Sequence, residues 1–244
     1  MTLKDAPSID PAEVEKFSAI AAEWWDPAGK FAPLHRFNPV RLHFIHDTLG
    51  RHFGRKDGNF SGLKLLDIGC GGGLVAEPMA RAGFAVTGAD ASGKNIAAAS
   101  VHATEGGISI DYRQTTAETL AEAGETFDVV LNLEVIEHVA DLKSYLAASA
   151  RLVAPGGIMI VASLNKTLKS LALAKIGAEY VLGWLPRGSH DWSRFVSPSK
   201  LRGLLVENGL SVRQLQGVAF DPIAWGWVLS GDTSVNYMVV AVRT

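Results

Sequence analysis

Residues 65–73 read Leu65-Leu66-Asp67-Ile68-Gly69-Cys70-Gly71-Gly72-Gly73. A short apolar run passes straight into a glycine-rich turn, and the amphipathic stretch Val75–Ala82 follows. Glycines suit a place where the backbone must turn tightly and let a ligand approach with no Cβ in the way. The next apolar run ends in Val86-Thr87-Gly88-Ala89-Asp90. An acid at the end of a second strand, about 20 residues beyond the first glycine, holds a ribose diol in nucleotide-binding α/β folds. Asp90 arrives at that spacing from Gly69. The loop, the strand and the acid together say far more than the glycines alone.

Working outward, apolar runs recur at Leu63–Ile68, Ala85–Ala89, Ile108–Tyr112, Phe127–Leu133 and Gly157–Ser163. Helical patterns lie between them, at Val75–Ala82, Lys94–Glu105 and Leu142–Leu152. Such alternation reads as βαβ units. The expected fold is α/β and Rossmann-like, a mostly parallel seven-stranded sheet with helices on both faces. Its last two strands fall at Ser211–Val218 and Val235–Val242, joined by a long loop. Two segments stand outside the alternation. Residues 1–50 read as a helical N-terminal cap, with Asp10-Pro11 as an N-cap and first-turn pair and Trp24-Trp25-Asp26-Pro27 as a break. Residues 165–187 form an amphipathic insert after the fifth strand. One domain over 1–244 is the economical organisation.

Composition narrows the function. The chain has 244 residues, of which 48% are hydrophobic, enough for one full core. Lys plus Arg give 23 and Asp plus Glu 25, a formal charge of −2. That balance lacks the basic excess of nucleic-acid binders. A single cysteine, Cys70, excludes an intrachain disulfide and fits a reducing compartment. No secretory h-region opens the sequence and no apolar run reaches a membrane span. The expected location is cytoplasmic, with attachment to the inner face of the membrane at most peripheral.

The glycine spacing separates two nucleotide classes. A dinucleotide loop wants a glycine at the sixth position of the turn, where this chain has Leu74. The pattern instead resembles motif I of the class I S-adenosylmethionine-dependent methyltransferases. That resemblance implies Asp67, Gly69 and Gly71 along the cofactor and Asp90 on both ribose hydroxyls. It places adenine contacts at Thr116-Ala117-Glu118, where Thr116 departs from the usual acid and Glu118 reads equally as a solvated helix start. Leu133 either packs on the adenosyl face or belongs to the core.

After strand four comes Glu134-Val135-Ile136-Glu137-His138. On a helical turn, Glu134, Glu137 and His138 at i, i+3 and i+4 share one face. Two carboxylates and an imidazole there suit a divalent ion such as Mg²⁺. The same residues serve equally as a hydrogen-bonded structural cluster or a general base with no metal, with Glu134 and His138 the catalytic candidates.

Beyond motif I, Glu23-Trp24-Trp25-Asp26-Pro27 and Leu34-His35-Arg36-Phe37-Asn38-Pro39-Val40-Arg41 resemble the signature of the ubiquinone-biosynthesis O-methyltransferases. Gly177-Ala178-Glu179-Tyr180, Gly188-Ser189-His190-Asp191-Trp192 and Val235-Asn236-Tyr237-Met238 match as well. The resemblance spans nearly the whole chain. It implies methylation of catechol-type hydroxyls on polyprenylated rings, a polyprenyl catechol and a demethylubiquinol. It also implies Arg41 as a cofactor contact, magnesium at Glu134, Glu137 and His138, and assembly with other enzymes of quinone biosynthesis. The competing identities are another small-molecule methyltransferase, a dinucleotide oxidoreductase and a non-catalytic cofactor binder.

The insert carries Lys166, Lys169, Lys175 and Arg187 against one acid, Glu179, with Leu168, Leu171, Ile176, Leu182 and Trp184 interspersed. A basic, apolar helix of this kind lies in an anionic bilayer interface or closes over the active site as a lid.

Overall fold

The structure is a computed structural model that describes residues 6–170, 194–223 and 225–244. The N-terminal cap begins with α1 (Pro11–Ser18). The Asp10 carboxylate caps it by accepting the Ala12 and Glu13 amides, with Pro11 in the first turn as expected. A short 3-10 turn (Ala21–Glu23) and the Trp24–Pro27 break lead to α2 (Ala32–Phe53), which Gly54 ends in the left-handed conformation.

The α/β part then runs β1 (Lys64–Ile68), α3 (Ala76–Arg81), β2 (Ala85–Asp90), α4 (Gly93–Glu105) and β3 (Asp111–Gln114). It continues with α5 (Ala117–Glu122), β4 (Phe127–Leu133), α6 (Leu142–Arg151), β5 (Val153–Leu164) and a single turn, α7 (Leu168–Ser170). After residues 171–193, α8 (Pro198–Glu207), β6 (Ser211–Asp221), β7 (Gly226–Ser230) and β8 (Asn236–Val242) complete it.

The sheet order is β3-β2-β1-β4-β5-β8-β6-β7. Strands β1 to β5 pair in parallel, and β8, β6 and β7 add on antiparallel. Chain order reverses between β1 and β4, so a crevice opens at their carboxyl ends, where open α/β sheets bind ligands. Central strands are buried on both faces. Leu66, Val130 and Met159 pack towards α6 and α8, while Leu65, Val129 and Ile158 pack towards α2 and α3. Double burial explains why these strands read as unbroken apolar runs.

The structure departs from the sequence expectation in two places. The sheet has eight strands, not seven, because the long loop before the last strand contains β7 hydrogen-bonded to β6. The third strand is Asp111–Gln114, not Ile108–Tyr112. The Ile108 amide instead donates to Ala103 and closes the end of α4, leaving a half-exposed edge strand with no apolar signal. The insert lies mostly outside the described residues. Its start is fastened to the loop before β8, where Thr167 Oγ1 donates to the Ser234 carbonyl and Lys169 pairs with Asp232.

Candidate active site

The glycine loop leaves β1 at the mouth of the crevice. Gly69 has φ 71°, and a Cβ there would lie 2.5 Å from the Val135 side chain. Gly73 has φ 90° and packs against the Tyr112 hydroxyl. Left-handed backbone and a close neighbour leave glycine as the residue that fits. Asp90, at the tip of β2, accepts the Gly71 amide at 3.0 Å and the Ser92 amide at 2.8 Å. Asn95 Nδ2 adds a third bond at 3.3 Å. Burial pushes the Asp90 carboxyl upward, opposed by the Ser92 and Gly71 amides.

The cap is fastened to this same loop. Trp25 Nε1 donates to the Gly72 carbonyl at 2.9 Å, and its indole stacks on His102 at 3.4 Å between ring centroids. Trp24 Nε1 donates to Asn95 Oδ1 at 3.0 Å, while its ring packs over Gly71 and Gly72 and against Phe31. A ring nitrogen of His35 bonds the Trp24 carbonyl, and Asn38 Nδ2 donates to the Leu74 carbonyl at 2.8 Å. The N-terminal motif therefore consists of residues that touch the glycine loop.

Arg41 is buried on α2 and reaches the same cavity. Its Nη2 donates to Asn38 Oδ1 at 2.9 Å, and its Nε has no hydrogen-bond partner. Burial lowers its pKa, while the charges of Glu134 and Asp67 oppose that shift. Asp67 is equally buried, and desolvation pushes its carboxyl up to about 7. Arg41 pulls against the rise and Asp90 adds to it.

The cavity enclosed by the loop, the cap and the strand ends has a volume of about 1110 Å³. Arg41, Asp67, Gly69, Gly71, Asp90, Leu133, Glu134 and His138 all line it. Leu133 also belongs to the core against α2. Glu118 departs from both of its readings. It is buried with both carboxyl oxygens unpartnered, so it is not a solvated helix start. It is not in the cavity wall either, which Thr115, Thr116 and Ala117 form there. Thr116 is the N-cap of α5, its hydroxyl accepting the Thr119 amide.

The Glu134–His138 segment is a turn rather than a helix. Glu134 adopts φ 56°, a left-handed conformation that is uncommon outside glycine and clusters at functional sites. This geometry breaks the expected shared face. Glu134 and His138 line the cavity, whereas Glu137 is buried and accepts a hydrogen bond from Ser163 Oγ at 2.9 Å. Burial and the adjacent Glu134 charge hold Glu137 well above the usual carboxylate range. His138 Nδ1 lies 2.7 Å from Glu13 Oε2 on α1, and Phe17 meets the ring edge-on. The imidazole holds the Glu13 carboxyl below its ordinary range, despite burial.

Among the described residues, no three His, Cys, Asp or Glu side chains gather closely enough to hold a metal ion. The expected ligand set of Glu134, Glu137 and His138 is therefore not assembled as a trio. Two neighbouring carboxylates remain, and Glu137 Oε1 is buried without a partner. That donor pair fits an oxygen-preferring divalent ion. Glu13 was not legible as a site residue, because 125 positions separate it from His138.

Comparisons with known proteins agree with this geometry. A family model described as a methyltransferase domain matches residues 34–215. The chain is 57% identical over 239 residues to the ubiquinone biosynthesis O-methyltransferase of Parvibaculum lavamentivorans, covering 97% of this chain and 94% of that protein. It is 56% identical to the protein of the same name from Sinorhizobium medicae, covering 97% and 96%. Among solved structures, magnesium protoporphyrin IX methyltransferase from Synechocystis with bound SAH superposes with a TM-score of 0.64 at 22% identity, covering 96% of this chain and 94% of that one. The N-methyltransferase NodS from Bradyrhizobium japonicum gives 0.63 at 16%, covering 95% and 98%. At those identities the likeness concerns the fold.

The raised Asp67 pKa has a consequence for stability. Between 3.8 and about 7 the folded chain holds a proton that the unfolded chain has released. Stability therefore falls as pH rises through that window and levels off above it. Thermal melts between about pH 5 and about pH 8 are expected to show that decline, and Asp67→Asn to flatten it in part, Glu137 and Asp90 supplying the rest. An unchanged slope in the variant would contradict this assignment.

Proposed function

This chain belongs to the ubiquinone biosynthesis O-methyltransferases, and from that membership we propose that it transfers the methyl group of S-adenosylmethionine to a catechol-type hydroxyl of a polyprenylated ring. The observation that carries the cofactor reading is the pairing of Asp90 with Arg41 in one cavity around the glycine loop. A carboxylate at the tip of the second strand suits the ribose diol. A buried guanidinium whose Nε has no partner suits the cofactor's amino-acid carboxylate. Gly69 and Gly71 let the cofactor lie against the backbone, and Asp67 and Leu133 complete the wall.

Little covalent chemistry is asked of the protein. A phenolic oxygen attacks the methyl carbon, the carbon–sulfur bond breaks with its electron pair going to sulfur, and the sulfonium becomes a neutral thioether. Alignment of oxygen, carbon and sulfur away from water supplies much of the rate. The hydroxyl proton needs an acceptor. His138, which lines the cavity and is held at Nδ1 by Glu13, is the candidate acceptor. Glu134 and Glu137 would hold a magnesium ion, with His138 the third candidate, and such an ion would supply acidification of a catechol hydroxyl.

No helix among the described residues is long and apolar enough to cross a membrane. The proposed substrate tail nevertheless resides in one. The basic and apolar composition of 165–187 supports peripheral contact with anionic lipid on the cytoplasmic side, with other quinone-pathway enzymes as candidate neighbours. Nucleic acid is not among the proposed partners, and 1–244 acts as one catalytic domain.

Four measurements test this reading. Calorimetric titration should show saturable binding of S-adenosylmethionine, weakened at least about tenfold in Asp90→Ala. Mass spectrometry of reactions with a polyprenyl catechol and a demethylubiquinol should then show one added methyl, and no product from either would sink the proposal. Magnesium titrated into the full chain should give a binding isotherm that Glu134→Gln abolishes. Identical isotherms would leave proton removal to His138 alone. Vesicles containing phosphatidylglycerol should carry the protein down on centrifugation, whereas neutral vesicles should leave it in solution.

A further inference from the structure

The strand that the sequence did not show, β7, brings aromatic residues to the active-site mouth. Trp227 of β7 meets Phe37 of α2 with ring centroids 5.0 Å apart. Phe220 of β6 lies 5.7 Å from Trp227 and 5.4 Å from Trp225. These four rings make a continuous row from the buried Phe37 to Trp225, which is 66% exposed at the hairpin tip. All four line the same cavity as Asp90, Glu134 and His138.

Two observations say this row serves a ligand. First, the cavity, at about 1110 Å³, is larger than the roughly 300–1,000 Å³ that one small molecule commonly fills. Its glycine-loop end carries Arg41, Asp67 and Asp90, and the hairpin contributes Val218, Ala219, Phe220, Pro222, Trp225 and Trp227. Second, the same hairpin exposes Ile223 at 96%, Val228 and Leu229. Ile223 follows the lining residue Pro222, and Leu229 stands on the same face of β7 as Trp227 while Val228 faces the other way, so exposed apolar side chains adjoin the cavity wall at the hairpin.

We propose that the row Phe37–Trp227–Phe220–Trp225 seats the isoprenoid tail of the substrate, and that the β6–β7 hairpin sets the preference for tailed over tail-less rings. The inference rests on the proposed activity and deepens it. An isoprenoid chain is apolar and long, so it needs an apolar track that begins beside the reacting ring and leads outward. Edge-to-face rings offer such a track, and each methylene withdrawn from water adds to binding. The ring then stays beside His138 while the chain leaves over the hairpin tip.

The test compares two catechols with the same ring in detergent micelles, one carrying a tail of several isoprene units and one a single methyl. Steady-state kinetics are measured for the unaltered chain, Trp225→Ala and Trp227→Ala. The tailed-to-tail-less ratio of kcat/KM is expected to fall about tenfold in each variant, through KM for the tailed substrate rather than through kcat. An unchanged ratio, or equal loss on both substrates, would overturn the proposal. Trp225 is largely exposed, so its variant keeps the core even if Trp227→Ala misfolds. Tail binding is also read without turnover, by titrating the full chain with a polyprenyl alcohol and following tryptophan fluorescence. A saturable response whose midpoint rises about tenfold in Trp225→Ala supports the tail seat even if neither catechol is methylated, and no saturable response refutes it.

Discussion

The acceptance of the Gly71 amide by the Asp90 carboxylate is the contact on which the site depends. It ties the loop after β1 to the end of the neighbouring β2 and fixes the glycine loop in its open curve. The carboxylate also takes the Ser92 amide and Asn95, so one side chain sets both the loop and the start of α4. Asn95 in turn receives Trp24, and through it the N-terminal cap. The ligand-facing loop, the first turn of a helix and the cap thus share a single anchor. A change in any of them is felt at the others, as expected of a connected polar network.

That economy explains why the N-terminal motif is so particular. Trp25 must present its N–H to the Gly72 carbonyl while stacking on His102, which itself pairs with buried Glu77. Asn38 bridges the Leu74 carbonyl and Arg41, holding the guanidinium in the cavity. Leucine or alanine at these positions would pack but could not satisfy the backbone groups they meet. The cap forms part of the cavity wall and is not merely a cover for hydrophobic surface.

The sequence made the glycine loop, Asp90 and the parallel strands legible because each is a local pattern with one physical reading. Apolar runs buried on both faces and glycines with left-handed backbone leave few alternatives. Three features were hidden for different reasons. Strand β7 spends its apolar residues on the cavity and the surface, so Gly226–Ser230 looks like loop. Glu13 becomes a site residue solely through tertiary packing of α1 on the Glu134–His138 turn. The Glu134 backbone conformation cannot be inferred from a Glu-x-x-Glu-His spacing, and it is what separates Glu137 from the cavity. Spacing rules assume regular backbone, and functional turns are where that assumption fails.

Burying Arg41 and Asp67 in the cavity wall, and Glu137 behind Glu134, costs stability that hydrophobic residues there would not. None of the three has its charge fully answered within the protein. Arg41 has an unpartnered Nε, burial shifts Asp67 towards its neutral form, and burial and the Glu134 charge hold Glu137 above the usual carboxylate range. Such imbalance is stable where a charged ligand completes it. A zwitterionic amino-acid moiety and a sulfonium bring both signs of charge, and an aspartate poised near neutral pH ionises readily beside a cation. On this view the electrostatic cost of the cavity wall and its affinity for the proposed cofactor are one property, set by where α2 places a single arginine.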